Sequence, residues 1–226
     1  LTGIRLCLAE PVMFRTQMRA ILRAAAHGKV NMMWPMVASL TELRQCIVHF
    51  ETAKRQLAER GDKVALLFEP DGPDSPSYGV TYRELYERTC RLANALRALG
   101  VQKGDRVTIY LPMIPEAIIT MLACARIGAT HSVVFGGFSA LALRDRIQDT
   151  GATVVVTSDG QFRGGKTLPL KAIVEEAFAM GGCESVRHVI VNKRTGMDIE
   201  WHPERDLWWS EVIASQSEEC EPEWVE

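Results

Sequence analysis

The chain of 226 residues contains no apolar run near the roughly 20 residues that a membrane-spanning helix needs, which excludes a spanning segment. It also lacks a strong charge of either sign, because 26 Lys and Arg face 28 Asp and Glu. This balance excludes a nucleic-acid binder that relies on overall positive charge. Its six cysteines form no C-x-x-C pair and no Cys/His group at metal-ligand spacing, so we predict no metal site.

The scattered cysteines favour a reducing compartment, and we expect a cytoplasmic protein. The chain begins at Leu1 and shows no secretory signal pattern, from which we expect a piece of a longer protein. The residues that are present, 47% apolar and 24% charged, are typical of globular domains with a real core. Their charge is uneven, since residues 1–60 hold nine Lys and Arg but four Glu, which indicates a change of character near residue 60.

Residues 1–60 predict a helix, a strand and a second helix. Pro11 begins a stretch with apolar residues three and four positions apart, and Gly28 ends it. Residues 30–37 then form an apolar run that is typical of a buried strand. Ser39 and Glu42 have the spacing of a capping box at the start of the second helix. This order is part of a β/α architecture, and so short a piece would leave strand edges unpaired.

Residues 64–226 show a fuller alternation of strands and helices. The capping box Thr81-x-x-Glu84 predicts a helix that runs to Leu99 and ends at Gly100. Strands rich in Val and Ile, separated by helices, favour an α/β fold with a parallel sheet covered on both faces. The predicted strands are residues 64–68, 106–110, 130–134, 153–157 and 188–191, and the further helices are residues 115–127, 139–150 and 170–179.

Ligands of such sheets bind beyond the carboxyl ends of the strands, so the loops at residues 135–138 and 158–169 are candidate binding loops. In the second loop, residues 160–167 match the phosphate-loop pattern G-x-x-x-x-G-K-[ST], in which Lys166 and Thr167 would meet the phosphates and Mg²⁺ of a nucleoside triphosphate. However, Pro169 lies where the helix of that motif should run. A glycine-rich turn with two solvated cations is the alternative to a nucleotide triphosphatase.

The first loop reads Phe135-Gly136-Gly137-Phe138 and precedes Ser139, a typical N-cap residue. Glycines at this position let a ligand approach the backbone, and the aromatic rings would stack on a base. The same residues are typical of a tight strand-to-helix turn with two core phenylalanines. The pattern alone leaves both interpretations open.

From about residue 57 onward the sequence resembles the N-terminal part of an AMP-forming acetyl-CoA synthetase, an adenylate-forming enzyme of the AMP-binding family. The resemblance is carried by RLANALRALGVQKGDRVTIYLPMIPEAIITMLACARIGATHSVVFGGFSALALRDRIQDTGA at residues 91–152, RGGK at 163–166 and KRTGMDIEWHPERDLWW at 193–209. It implies an incomplete domain over residues 57–226. It also implies a fragment of an acetate–CoA ligase, which converts ATP, acetate and CoA to acetyl-CoA, AMP and pyrophosphate.

The resemblance implies that both glycine-rich loops belong to a partial CoA site. Phe135, Gly136 and Gly137 would border the adenine ring. Arg163, Gly164, Gly165 and Lys166 would contact the phosphates. Leu168 would add an apolar wall. It assigns no catalytic residue and no metal ligand to these 226 residues. ATP and Mg²⁺ belong to the full-length enzyme, whose adenylation loop usually resembles TSGSTGKPKG. No such segment occurs here, so we predict that this chain does not activate acetate alone.

Residues 1–56 resemble a different family, the phosphoenolpyruvate-protein phosphotransferase (enzyme I) of the sugar phosphotransferase system. The segments FRTQMRAILRAAAHG and MMWPMV carry this resemblance, which implies a fragment of the phosphoenolpyruvate-binding TIM barrel. That family has an R-x-x-R pair before the first helix. Arg5 matches the second arginine, whereas Thr2 stands at the first, and His27 does not match the phosphorylated histidine. We therefore predict no phosphotransfer by this chain.

The two resemblances meet inside one helical stretch, ETAKRQLAERG, with no Pro-, Gly- or Ser-rich linker on either side. We interpret the chain as an artefactual chimeric reading frame, with a natural fusion as the alternative. An incomplete sheet would expose apolar faces to a partner chain, so a non-catalytic interaction module is a third hypothesis. The other expected partners are small molecules, CoA above all, and neither a nucleic acid nor a membrane is expected.

Overall fold

The computed structural model describes residues 3–25, 29–71 and 76–224. The chain divides into two compact units, Leu1–Lys63 and Val64–Glu226. The change of family that the sequence places at residues 56–57 lies inside the last helix of the first unit. It stays a prediction, because compactness does not report the origin of a segment. Within the described residues, no helix combines the length and the apolar character needed to cross a bilayer.

The described part of the first unit contains the helices α1 (Ile4–Ala9), α2 (Pro11–Ala25) and α3 (Leu40–Gly61). A small buried cluster lies between them, formed by Ile4, Phe14, Met18, Cys46 and Ala53. The predicted N-cap of α3 is confirmed, because the Ser39 hydroxyl accepts from the Glu42 N–H at 3.2 Å. The Glu42 carboxylate also accepts from the Ala38 N–H at 2.8 Å, one residue before the N-cap.

The strand predicted at residues 30–37 is wrong. The segment is irregular, Met33 is 81% exposed, and Met36 has a φ of 58°, which lies outside the extended region. A strand needs a hydrogen-bonding neighbour, and the described residues of the first unit contain no other strand. The apolar run at residues 30–37 alone was therefore not sufficient to form a strand. The predicted helix end at Gly28 lies outside the described residues, as do Thr2 and His27.

The second unit contains a parallel sheet. Its strands in chain order are β3 (Arg106–Tyr110), β4 (Thr130–Val133), β5 (Val154–Ser158), β8 (His188–Asn192) and β9 (Asp206–Trp208). Their spatial order is β4-β3-β5-β8-β9. Two smaller antiparallel pairs accompany this sheet, β1 (Val64–Phe68) with β2 (Tyr78–Thr81), and the hairpin of β6 (Gln161–Arg163) with β7 (Lys166–Leu168).

Helices cover both faces of this sheet. One apolar cluster contains residues of α4 (Tyr82–Ala98), α5 (Pro115–Arg126) and α8 (Trp209–Ala214), and the other contains residues of α6 (Ala140–Thr150) and α7 (Leu170–Ala179). Successive side chains of β5 point to opposite faces of the sheet. Val154 and Val156 therefore belong to the first cluster, and Val155 belongs to the second. The predicted α/β fold with a parallel sheet is therefore confirmed. Strand β2, the hairpin, β9 and α8 were not predicted.

Two predicted helix starts are confirmed, and the second of them bounds the first glycine-rich loop. Thr81 and Glu84 form the complete capping box of α4. Ser139 is the N-cap of α6, and its hydroxyl accepts from the Ala142 N–H at 3.4 Å. Because α6 begins at Ala140, residues 135–138 form a short turn between β4 and α6. This turn and the hairpin after β5 both lie beyond the carboxyl ends of parallel strands.

Candidate functional site

The second glycine-rich loop is a β-hairpin and not a phosphate loop. Arg163 pairs with Lys166 across the turn, and Gly164 and Gly165 form the turn with φ of 57° and 74°. Left-handed φ at both central residues is what a tight two-residue hairpin turn requires. A phosphate loop needs a helix at its Lys and Thr, whereas Lys166 and Thr167 lie in β7. The described structure therefore does not support the nucleotide triphosphatase alternative.

The hairpin presents two cations side by side at its tip. Residues that face each other across an antiparallel pair lie on the same face, so the side chains of Arg163 and Lys166 are neighbours. Both residues are exposed. Leu168 lies half-buried at the base of the hairpin, opposite Gln161. The predicted phosphate-binding residues of this loop are thus brought together, and the predicted apolar residue lies at the other end of the same strand.

The first glycine-rich loop is a turn, as one of the two interpretations expected, but its phenylalanines are not core residues. The Phe138 N–H donates to the Phe135 carbonyl at 2.9 Å and closes the turn. Phe135 is 43% exposed and Phe138 is 48% exposed, and their rings make an edge contact with centroids 6.1 Å apart. The Tyr110 hydroxyl donates to the Phe138 carbonyl at 2.7 Å, and burial raises the pKa of Tyr110 to about 12. Tyr110 therefore stays a hydrogen-bond donor at neutral pH.

The two loops meet at Arg163. Its guanidinium lies over the Phe135 ring, with Cζ 5.2 Å from the ring centroid. A Cβ added to Gly137 would come 2.3 Å from a terminal nitrogen of Arg163, so the guanidinium lies directly against the Gly137 backbone. Gly136 is also closely enclosed, because an added Cβ would lie 3.1 Å from the Leu111 carbonyl oxygen. The ring of Phe135 and the two cations form one exposed surface, which suits a planar ring that carries phosphate.

A buried carboxylate, which the sequence analysis missed, holds the base of the hairpin. Asp159 is 1% exposed and follows β5 directly. It accepts four backbone N–H bonds of 2.6 to 3.0 Å, from Gly160, Arg194, Thr195 and Gly196. Burial raises the pKa of the Asp159 carboxyl, but these donors outweigh burial and hold its pKa below the ordinary value. A Ser-Asp-Gly sequence after a buried strand is a turn signal that would have pointed to this residue.

On its other face the hairpin borders a cavity of about 460 Å³. Phe162 lines it, and successive residues of a strand face opposite sides, so the cavity lies away from the contact of Arg163 with Phe135. Arg194 also lines it, with its guanidinium carbon 5.6 Å from the Phe68 ring centroid and 5.8 Å from that of Phe162. Asp71 pairs with the same guanidinium at 3.5 Å. The guanidinium of Arg194 therefore already contacts two rings and a carboxylate on this side of the hairpin.

Among the described residues one cluster has ligand atoms close enough for a metal ion, namely Glu175, Glu200 and His202. The His202 Nε2 lies 3.0 Å from a Glu200 oxygen and 3.4 Å from a Glu175 oxygen. However, Glu175 is already paired with the buried Lys171 and, at 2.6 Å, with Arg205. Because Lys171 and Arg205 both pair with the Glu175 carboxylate, this group is an ion-pair network. It is therefore not a reason to revise the prediction of no metal site.

Comparisons with known proteins support two families in the two parts of the chain. A family model described as AMP-binding enzyme matches residues 53–225. A second model, described as PEP-utilising enzyme, PEP-binding domain, matches residues 1–69. The two matches overlap over residues 53–69, which include the end of α3 and all of β1.

Curated relatives match the larger part closely. The chain is 60% identical over 169 residues to an acetyl-coenzyme A synthetase of Xanthomonas campestris pv. campestris, and the match covers 75% of this chain and 26% of the relative. It is 59% identical over 172 residues to the acetyl-coenzyme A synthetase of Methylobacillus flagellatus, with 76% and 26% covered. The chain thus spans about a quarter of the length of these relatives. On the match over residues 53–225, the chain belongs to the AMP-binding enzyme family.

Proposed function

We propose that residues 57–226 are part of an AMP-forming acetate–CoA ligase and carry part of its CoA site. The observation that supports this most is the position of Arg163 on Phe135 and Gly137, which unites the two glycine-rich loops into one surface. The identity of about 60% to acetyl-coenzyme A synthetases supports the choice of acetate and CoA as the substrates of the whole enzyme.

Each element of the surface has a chemical counterpart in CoA. The half-exposed ring of Phe135 would border the adenine, and Gly137, which has no side chain, leaves room for the guanidinium of Arg163 beside that ring. Arg163 and Lys166 offer a guanidinium and an ammonium to the phosphates, and such charge-assisted bonds are the strong ones. Leu168 offers an apolar wall at the base of the hairpin.

Calorimetric titration of CoA into the chain tests this site. We expect weak binding, with a Kd near millimolar, because a partial site lacks the full preorganisation. The double variant Arg163→Ala, Lys166→Ala removes both phosphate partners and should abolish the signal. The double variant Lys29→Ala, Lys54→Ala removes the same charge from exposed positions of the first unit and should leave it unchanged. Equal binding by both double variants would refute the assignment of this surface to CoA.

We propose further that a polypeptide of these 226 residues does not activate acetate. Its sequence contains no segment of the TSGSTGKPKG type, and no residue is assigned a catalytic role. The use of ATP as a substrate, with Mg²⁺ as its cofactor, is therefore proposed for the full-length enzyme and not for this chain. Exchange of labelled pyrophosphate into ATP in the presence of acetate measures the adenylation step directly. Exchange above the rate without protein would contradict this proposal.

We propose for residues 1–56 a fragment of a phosphoenolpyruvate-binding domain without phosphotransfer activity. The match of residues 1–69 to that domain supports the resemblance. Arg5, which corresponds to the second arginine of the family's pair, is engaged by Glu42 at 2.9 Å. A chimeric reading frame or a natural fusion would both produce this arrangement. One DNA read through codons 40–70 separates them, because a chimera assembled from two sources would not appear as one continuous read.

We also propose a cytoplasmic location and a small-molecule ligand. All six cysteines are free thiols, which agrees with a reducing compartment. The hypothesis of an interaction module predicts a defined complex with a partner chain instead. Size-exclusion chromatography with light scattering distinguishes a monodisperse complex from the soluble aggregates that exposed apolar faces would cause.

A further inference from the structure

We propose that Gln161 is a positioning residue, which fastens loop 135–138 to the hairpin and so holds the proposed CoA surface in one geometry. The choice of CoA as the ligand rests on the proposed function, whereas the bond between Gln161 and loop 135–138 does not. Gln161 was not among the residues that the resemblance implies. Its side chain connects two segments that are 25 positions apart in the sequence.

Gln161 is nearly fully buried, with 4% of its surface exposed, although it begins an exposed hairpin. Its Nε2 donates to the Gly136 carbonyl oxygen at 2.5 Å. Its Oε1 would lie 3.2 Å from a Cβ added to Gly136, so the whole amide group packs against the Gly136 backbone. A buried amide that packs on one peptide unit and bonds to it is a specific contact and not a chance approach.

The bond holds the middle of the loop. The other anchor described above is the Tyr110 hydroxyl, which binds the Phe138 carbonyl at the far end of the loop. Gly136 is itself buried, so loss of the Gln161 donor would leave its carbonyl without that partner and away from water. The loop would then be free to move between Phe135 and Phe138, where the proposed adenine contact lies.

The strand geometry links this bond to the cationic side chain. Gln161 and Arg163 are two positions apart in β6, and side chains two apart lie on the same face of a strand. On this one face Gln161 binds Gly136, and Arg163 lies against Phe135 and Gly137. The two contacts together set the register of the loop against the hairpin. A loop released by Gln161 would therefore also lose its defined position under the guanidinium.

The decisive variant is Gln161→Met, which keeps the shape of the side chain and removes its N–H donor. Gln102→Met makes the same chemical change at an exposed position and serves as the control. Amide hydrogen exchange, followed by mass spectrometry, is measured in residues 135–138 and, as a reference for the sheet, in β5. The Kd for CoA is measured on the same samples.

In Gln161→Met we expect exchange in residues 135–138 to become faster by about tenfold or more, with no change in β5. We expect CoA affinity to fall by about fivefold or more, because the loop must be ordered on binding. Gln102→Met should change neither. Unchanged exchange in loop 135–138 would overturn the fastening, and faster exchange with unchanged CoA affinity would overturn the positioning role.

Two further results keep the inference separate from the proposed function. If the wild-type chain binds no CoA, the proposed function fails together with the ligand part of this inference, but the exchange data still decide whether Gln161 fastens the loop. If Gln161→Met does not fold, Gln161→Glu takes its place in the experiment. It retains the size and polarity of the side chain and replaces the donor by an acceptor. Slow exchange in residues 135–138 of that variant would also overturn the fastening.

Discussion

The guanidinium of Arg163 lies over the ring of Phe135, with Cζ 5.2 Å from the ring centroid. This contact joins a hairpin that follows β5 to a turn that follows β4, two strands that each pair with β3. It places a positive charge beside an aromatic face at the carboxyl end of the sheet, where open α/β sheets bind their ligands. The relationship depends on Gly137, because any larger residue there would meet the guanidinium.

Gly137→Ala should displace Arg163 without unfolding the chain. The added Cβ would lie 2.3 Å from a terminal nitrogen of Arg163, which is the far end of a flexible side chain and can move. We expect a loss of stability below about 1 kcal/mol, as for most surface substitutions, and weaker CoA binding. Calorimetry and thermal melting measure the two effects.

A double-mutant cycle shows whether Arg163 is the cause. In the Arg163→Ala background, Gly137→Ala has no guanidinium to displace and should change CoA affinity no further. Full additivity of the two substitutions would contradict the contact.

Asp159→Asn should destabilise the second unit by about 2 to 3 kcal/mol, because one charged acceptor of four N–H bonds is replaced by a neutral amide with a single acceptor oxygen. Asp198→Asn, at an exposed position, is the matched control and should have little effect. Urea unfolding at pH 7 measures both variants. Equal midpoints for the two variants would contradict the role of the Asp159 carboxylate.

The same carboxylate predicts a pH dependence. The pKa of Asp159 is lowered in the folded protein, so the ionised group stabilises the fold above the unfolded pKa of about 3.9. This contribution is lost as the pH falls through the folded pKa. Stability of the wild-type chain should therefore decrease on acidification below pH 4 more steeply than that of Asp159→Asn. Urea unfolding at several pH values checks the difference in slope.

Lys171→Met should be among the most destabilising substitutions in the second unit. Lys171 has no exposed surface, and its ammonium pairs with Glu175 and, at 2.8 Å, with the buried Asp206. Removing one partner of a buried ion pair costs about 3 to 5 kcal/mol, and the two carboxylates would then share Arg205 as their one remaining cation. Lys103→Met removes a half-exposed lysine near Glu223 and should change stability little. Chemical denaturation of the two variants makes the comparison, and similar losses would contradict the prediction.

Gly160→Ala should disrupt the base of the hairpin. An added Cβ would lie 2.8 Å from the Leu168 carbonyl oxygen and 2.7 Å from the Met197 sulfur. The carbonyl belongs to the backbone of β7 and cannot rotate away as a side chain can. We expect faster amide exchange in residues 161–168 and a lower melting temperature than for Gly137→Ala. Similar melting temperatures for the two variants would show that the hairpin base adapts.

Composition, periodicity and caps predicted the four longer helices and five of the strands of the second unit because these signals are local. The valine run of β5 and the capping box at Thr81 and Glu84 each act within a few residues, and both appear as expected. The strand predicted at residues 30–37 failed because an apolar run carries no information about a neighbouring strand. The hairpin of β6 and β7 was missed because strands of three residues show too short a pattern.

The candidate site was predicted in part. Phe135, Gly137 and Arg163 were named from the resemblance, and the structure brings them together. Asp159 and Gln161 were not named. The local Ser-Asp-Gly signal marks a turn at Asp159 but not a buried acceptor, and the distant partners of the two residues lie 25 to 37 positions away.

By itself the sequence determined the alternation of strands and helices, the α/β class and the membership of residues 53–225 in the AMP-binding family, because these follow from local pattern and from shared motifs. Only the tertiary structure decided which turns meet. The parallel order β4-β3-β5 places the ends of β4 and β5 on either side of β3, and the alternation of β6 turns Gln161 and Arg163 toward the same loop. Such meetings depend on strand order and on contacts between distant residues, which no single stretch of sequence contains.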